Sequence, residues 1–95
     1  MRIISEKVLR DFSAKYSDAA ESLQAWKRIV RAAVWKSPVD VLASINGSDQ
    51  VGDKTVFNIA HNRYRLIAFI HFRRQVVYVK AVLTHRQYDT GGWKS

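Results

Sequence analysis

The strongest constraint on the fold is an alternation of apolar and polar residues with a period of two in the C-terminal half. Three segments, 55–60, 64–72 and 76–84, are rich in β-branched and aromatic residues and predict strands. The connections 61–63 and 73–75 have only three residues each. Because connections this short cannot return the chain for a parallel pair, successive strands must run antiparallel. We predict a three-stranded antiparallel meander.

The register of the last hairpin follows from the requirement that one face be buried. If Phe72 faces Gln75 across the tip, all residues on one face can be buried, while cations and aromatics collect on the other. A shift of one residue would mix the two sets, so the pattern favours this register. The predicted core pairs are Ile70 with Val77, Ala68 with Val79, Leu66 with Ala81, and Tyr64 with Leu83. The predicted pairs on the other face are His71 with Val76, Phe69 with Tyr78, Ile67 with Lys80, and Arg65 with Val82.

Residues 5–45 have the apolar spacing of helices. Ser5 is expected to cap a first helix, and Asp18 with Glu21 has the pattern of a capping box for a second. A third, short helix is expected after Ser37, where a proline follows at the first helical position. The apolar stripes are Val8, Leu9, Phe12 and Tyr16 in the first helix and Leu23, Trp26, Val30, Ala33 and Val34 in the second.

The order of these elements indicates an α+β fold, because helices precede strands without βαβ alternation. Residues 2–4 can add a short first strand. We expect the two main N-terminal helices to pack on one face of a small antiparallel sheet whose other face is basic. A length of 95 residues permits one core, so residues 1–95 are expected to form a single domain.

Composition excludes several classes of protein. There is no cysteine, which excludes disulfides and thiolate metal sites. The longest apolar run, 66–70, is far shorter than the roughly 20 residues of a membrane span. No secretory signal pattern opens the chain, so we expect a cytoplasmic protein without a membrane partner. Sixteen Lys and Arg against eight Asp and Glu leave a net charge of +8, which predicts an acidic partner.

The basic residues concentrate in the second half of the chain. Residues 54–88 contain seven Lys and Arg and no Asp or Glu. This imbalance favours nucleic acid as the partner. Two alternatives stay open, namely a basic surface paired with acidic residues of the helices and, less favoured, an anionic membrane surface. The basic residues are Lys54, Arg63, Arg65, Arg73, Arg74, Lys80 and Arg86.

The chain offers groups for acid–base chemistry but no metal-binding motif. His61, His71 and His85 have spacings that match no metal site, so we expect neither metal nor cofactor. RNA supplies its own nucleophile, the 2′-hydroxyl, and an enzyme that cuts it needs a proton acceptor, a cation and a proton donor. The sequence T-H-R-Q-Y-D at 84–89 puts His85 and Tyr88 directly after the last strand, where a loop can present them to a ligand.

Each of these residues also has a purely structural interpretation. His85 could hydrogen-bond to backbone at the end of the sheet, Tyr88 could pack in a satellite cluster, and Asp89 could cap a final turn. Asn58 could close a turn or bulge, and Asn62 fits a hairpin connection. The residues by themselves leave both interpretations open.

Taken together, these motifs resemble the HigB family of toxins from bacterial type II toxin–antitoxin systems. The most specific likeness is the combination of F-N-I-x-x-N-x-Y-R-L at 57–66 with T-H-x-x-Y-D at 84–89. The chain departs from the family pattern at Gln87, where a glutamate is usual. Further similar segments are R-I-I-S at 2–5, A-W at 25–26, W-K-S-P at 35–38 and W-K at 93–94.

The resemblance implies a RelE-like fold and a ribosome-dependent, metal-independent mRNA endoribonuclease. It also implies a cognate antitoxin, often with a helix-turn-helix domain, through which the complex can bind operator DNA. His85 and Tyr88 would belong to the catalytic site, with the choice of general acid and base left open, and Arg65 would neutralise the scissile phosphate. The expected RNA-binding residues are Asn58, Asn62, Lys54, Arg63, Arg73, Arg74, Lys80 and Arg86.

A second class of function stays open beside the enzyme. Aromatic side chains that stack bases and cations that hold phosphates would also suit a non-catalytic, basic RNA-binding module. The enzyme is favoured over this module by the segment 84–89 and by the resemblance.

Overall fold

The strands and helices follow the two halves that the sequence predicts. The computed structural model describes residues 1–94, with only the backbone of Lys94, so the last residue of the predicted domain, Ser95, lies outside the described residues. The class is α+β, as predicted. The strands are β1 (Arg2–Ile4), β2 (Asp49–Val51), β3 (Lys54–Ile59), β4 (Tyr64–His71) and β5 (Val76–Thr84). The α-helices are α1 (Glu6–Lys15), α2 (Ala20–Ala32), α3 (Pro38–Ser44) and α4 (His85–Asp89), with 3₁₀ turns at Ser17–Ala19 and Gly92–Lys94.

One five-stranded sheet joins the strands in the order β1-β5-β4-β3-β2. The meander β3-β4-β5 is antiparallel, as predicted. The expectation of a wholly antiparallel sheet is wrong, because β1 pairs parallel with β5. The helices between β1 and the meander provide the long connection that a parallel pair needs. β2 is absent from the sequence prediction because three residues are too few to show a period of two.

The β4–β5 register agrees with the prediction over only half of the hairpin. The pairs from His71 with Val76 to Ala68 with Val79 are as expected. Beyond them Lys80 forms a β-bulge, and every later pair moves by one residue. The observed pairs are Ile67 with Ala81, Leu66 with Val82, Arg65 with Leu83 and Tyr64 with Thr84. The bulge lets Val82 enter the core while Lys80 stays exposed, which corrects the predicted partners of Leu66, Ile67, Arg65 and Tyr64.

The core lies between the sheet and the two long helices. Helix α1 contacts β5 and α2 contacts β1. The rings of Trp26 and Phe57 meet edge to face at 5.4 Å between centroids. Val34, predicted as part of the α2 stripe, is 70% exposed because the helix ends before it. Residues buried in this core include Leu9, Leu23, Trp26, Val30, Trp35, Phe57, Leu66, Ala68, Ile70, Val77 and Val79.

Asp18 connects the helices to the turn between β3 and β4. The prediction that Asp18 caps α2 is wrong, because Asp18 lies in a 3₁₀ turn and no side chain caps the helix. Its Oδ1 instead accepts a hydrogen bond of 2.7 Å from the Tyr64 hydroxyl, and its Oδ2 lies 2.9 Å from Arg63 Nη1. The Tyr64 bond and the Arg63 charge lower the pKa of Asp18, and the same bond, together with desolvation, raises the pKa of Tyr64. None of the described helices has both the length and the hydropathy needed to cross a membrane.

Candidate active site

A short helix, rather than the expected loop, carries the segment that follows the last strand. The Gln87 backbone N–H donates to Thr84 Oγ1 at 3.2 Å, and the Thr84 N–H donates to Gln87 Oε1 at 2.9 Å. This capping box starts α4 at His85, and either Glu or Gln can fill its third helical position. Gln87, where the family pattern has glutamate, therefore still forms the capping box that starts α4. The T-x-x-Q spacing is the sequence signal that predicts this helix.

His85 is held between a carboxylate and a guanidinium. Its Nδ1 lies 3.1 Å from Asp89 Oδ2, one helical turn further along α4, and its Nε2 lies 3.3 Å from Arg65 Nη2. A guanidinium can only donate hydrogen bonds, so this contact fits the imidazole tautomer that has its accepting nitrogen at Nε2 and its N–H at Nδ1, facing Asp89. In that tautomer the Nε2 lone pair faces Arg65.

Arg65 is anchored by backbone carbonyls. Its Nη1 donates to the carbonyl oxygens of Asn62 at 2.8 Å and Tyr64 at 3.2 Å. The guanidinium carbon lies 5.5 Å from the centre of the Tyr88 ring, which is cation–π distance. The structure thus brings Arg65, His85 and Tyr88 together, while their catalytic roles stay a prediction.

Tyr88 in turn rests on Trp93. The two rings are stacked, with centroids 5.0 Å apart and planes 16° apart. Trp93 Nε1 also donates a 2.9 Å hydrogen bond to the Tyr88 carbonyl. Sequence reasoning gave Trp93 no role beyond the resemblance and treated Asp89 as a cap. The i, i+4 spacing of His85 and Asp89 is the signal that could have paired them on a helix.

The turn that holds Arg65 has an unusual backbone. Ala60, His61 and Asn62 have φ of 53°, 55° and 71°, so three consecutive non-glycine residues lie in the left-handed region. Such a conformation costs on the order of 1–2 kcal/mol per residue for most side chains, and asparagine tolerates it best. Asn62 contributes its backbone carbonyl, which accepts a hydrogen bond from Arg65. Asn62 is therefore a hairpin residue that also supports the site.

The remaining predicted RNA-binding residues fall into two groups. Lys54 and Lys80 line a groove next to Trp93. Asn58 is paired with Arg65 across β3 and β4, and its amide lies against Gly47, where a Cβ would come within 2.8 Å of Asn58 Nδ2. The arginines lie elsewhere on the surface. Arg63 pairs with Asp18, Arg73 and Arg74 occupy the β4–β5 turn at the far end of the hairpin, and Arg86 is exposed on α4.

Potential metal ligands do not cluster in the part of the chain that the structure describes. No group of three or more His, Asp or Glu side chains there could hold a metal ion. The His85–Asp89 pair has no third such neighbour within that part of the chain.

Residues 19–91 match the family of HigB toxins, described as the RelE-like toxic component of a toxin–antitoxin system. The match includes α2, the whole meander and α4. The protein is thus a toxin of a toxin–antitoxin pair, a class in which a cognate antitoxin is the partner. More narrowly, the chain belongs to the HigB toxin family, which confirms the resemblance seen in the sequence.

Individual relatives have the same family name. The chain is 29% identical over 92 residues to the mRNA interferase toxin HigB of Escherichia coli strain K12, a match that covers 94% of this chain and 88% of that protein. The mRNA interferase HigB proteins of Escherichia coli O157:H7 and Shigella flexneri are similar to the same extent. These relatives are therefore similar along nearly their whole length.

Proposed function

We propose that this toxin is an mRNA endoribonuclease that cuts mRNA on the ribosome and needs no divalent metal ion in the chemical step. The names of its relatives, all mRNA interferases, support the activity. The observation that carries the mechanism is the position of His85, whose Nε2 faces Arg65 while its Nδ1 faces Asp89. An imidazole oriented in this way is a suitable general base.

In the proposed reaction the 2′-hydroxyl of one nucleotide attacks the adjacent phosphorus. His85 Nε2 accepts the hydroxyl proton, and Arg65 stabilises the negative charge that develops on the phosphoryl oxygens. A bound phosphate competes for the Arg65 donors, which frees Nε2 from its present contact. The bond from phosphorus to the 5′-oxygen breaks, and Tyr88 donates the proton to that oxygen. The products are a 2′,3′-cyclic phosphate and a 5′-hydroxyl.

The fold supports a division of labour between the two sides of the sheet. We propose the RelE-like arrangement, in which α1 and α2 cover one face and the other face receives RNA. Arg65, Lys54 and Lys80 then surround the cleaved phosphate, with Asn58 beside Arg65. The other predicted contacts are outlying cations and turn residues that suit backbone phosphates, and they are Asn62, Arg63, Arg73, Arg74 and Arg86.

The partner that silences the toxin is proposed to be an antitoxin with a helix-turn-helix domain and an acidic or amphipathic segment. Such a segment would complement the +8 charge and mask the RNA face. The toxin–antitoxin complex would bind operator DNA through the antitoxin, and both proteins would act in the cytoplasm. Binding between them should weaken as salt rises.

The decisive test is cleavage of a defined mRNA on programmed ribosomes, with the ends of both fragments mapped. We expect 2′,3′-cyclic phosphate ends on wild-type fragments and no cutting when the attacking nucleotide lacks its 2′-hydroxyl. The His85→Ala, Tyr88→Ala double variant should be folded and inactive, and His71→Ala, at the other end of β4, is the matched control. Wild-type protein that binds this mRNA without cutting it would favour the non-catalytic RNA-binding module instead.

A further inference from the structure

An open groove lies beside the candidate active site, and its apolar part has no role in the reaction proposed above. Its volume is about 620 Å³, within the usual range of small-molecule sites. Phe69 and Ala81 contribute apolar surface, and Lys54 and Lys80 contribute charge. Trp93 joins the groove to the site because its ring also stacks on Tyr88. The groove and the reacting groups are therefore continuous.

The β-bulge shapes this groove. In a regular strand neighbouring side chains point to opposite faces, yet Lys80 and Ala81 both line the groove. They can do so because Lys80 is the extra residue of the bulge. The bulge therefore brings an ammonium group and a small side chain to the same place. Bulges commonly redirect side chains near active sites in this way.

The groove combines the two features that a nucleotide needs. Aromatic and apolar surface suits the flat face of a base, and nearby ammonium groups suit its phosphate. Ile67 is only 1% exposed, so it lies beneath the floor of the groove and the contact surface comes from the neighbouring side chains. One acidic group, Asp53, lies at the rim with its Oδ1 3.4 Å from Lys54 Nζ. A carboxylate there is poorly placed for phosphate but can accept a hydrogen bond from a base.

We propose that this groove binds the base of an mRNA nucleotide next to the cleaved phosphate, stacked against Trp93, and thereby selects the position of the cut. The inference rests on the proposed function and deepens it. One face of the Trp93 ring contacts this base and the opposite face stacks on Tyr88. Base recognition and proton donation therefore involve one stack of rings. Removing the ring should weaken binding of that base by about tenfold or more.

The test uses ribosomes programmed with mRNA that carries 2-aminopurine at one codon position at a time and a 2′-deoxy sugar at the attacking nucleotide. Stacking on an aromatic ring quenches 2-aminopurine fluorescence, so the readout reports the base rather than the reaction. Wild-type toxin should quench one position. Trp93→Leu should abolish this quenching and Trp93→Phe should retain most of it.

A second variant guards against an indirect effect through Tyr88. Phe69→Leu removes a second ring that lines the groove and should also reduce quenching, whereas Phe72→Leu, in the β4–β5 turn, should not. Cleavage of the all-ribose mRNA is measured in parallel. If wild-type toxin cuts this mRNA but Trp93→Leu quenches like the wild type, the groove does not hold the base. If wild-type toxin cuts nothing, the proposed function fails, and this inference with it.

Discussion

The two ends of the β4–β5 hairpin both carry arginine, but only one end fixes it in place. At the α4 end the Arg65 guanidinium is bound by two carbonyls, a histidine and an aromatic ring. At the turn end Arg73 and Arg74 are exposed, and neither guanidinium makes a hydrogen bond or ion pair among the described residues. Arg74 is held only through its backbone N–H, which donates to His71 Nδ1 at 3.2 Å. Both ends add positive charge, which would attract RNA under the proposed function. In the proposed mechanism only the fixed end acts on a particular phosphate, because transition-state stabilisation requires groups that are already oriented.

The largest expected effect is loss of the acid–base groups at the α4 end. His85→Ala and Tyr88→Ala should each slow the single-turnover cleavage step by about 10²–10⁴-fold, the usual contribution of a general acid or base. Neither residue belongs to the buried core, so both variants should melt close to the wild type. A folded double variant that still cuts mRNA at the normal rate would mean that the chemistry lies elsewhere.

Loss of the fixed cation should come next in size. Arg65→Ala should slow cleavage by about 10²–10³-fold, since it removes charge stabilisation at phosphorus. Arg65→Lys should recover only part of this loss, because an ammonium cannot bind two carbonyls and a phosphate in the planar geometry of a guanidinium. Full recovery by lysine would show that the charge suffices and that the anchoring is unimportant.

A smaller effect is expected from Asp18, which holds the turn that anchors Arg65. Asp18→Asn should lower the melting temperature at neutral pH, because Asp18 has a lowered pKa and stabilises the fold as a carboxylate. This contribution is present above the ordinary Asp pKa and is lost as pH falls through the lowered one. The two proteins should therefore converge in acid, as melts across a pH series would reveal. Asp11→Asn is a control, since Asp11 forms an exposed ion pair with Lys7 on the surface of α1.

The smallest effect on cleavage is expected at the turn end. The Arg73→Ala, Arg74→Ala double variant should keep the wild-type cleavage rate at saturating toxin. Its binding should weaken, and the salt dependence should fall by about one unit of slope for each phosphate contact removed. A drop in the saturated rate itself would show that the two ends of the hairpin are not as different as their contacts indicate.

The parts of the fold that follow a period were accessible from the sequence. Burial of alternate residues predicted the meander and the pairing from His71 to Ala68. The bulge was not accessible, because an extra residue at Lys80 breaks the period that the prediction relied on. The parallel pairing of β1 was also missed, since three residues show no direction.

The sequence predicted which residues belong to the candidate site better than it predicted how they are arranged. Charge and residue type made His85, Tyr88 and Arg65 candidates, and the resemblance to the HigB family joined them as a set. The contacts that orient them depend on α4 and on the left-handed turn at 60–62, which are tertiary features. Charge also placed Arg63 among the expected RNA-binding residues. The side chain of Arg63 is paired with Asp18. A count of charges cannot reveal this pairing, because it ignores which side of a turn a side chain faces.

The strand order has a consequence for folding of the chain during its synthesis. β5 lies between β1 and β4 but is synthesised after both, so β1 has no partner strand until β5 emerges. Helix α4 and Trp93 come later still, while Arg65 is already present in β4. A nascent chain therefore cannot assemble the candidate active site before it has been translated to about Trp93. Under the proposed function, the toxin cannot cut the message that encodes it during most of its own synthesis.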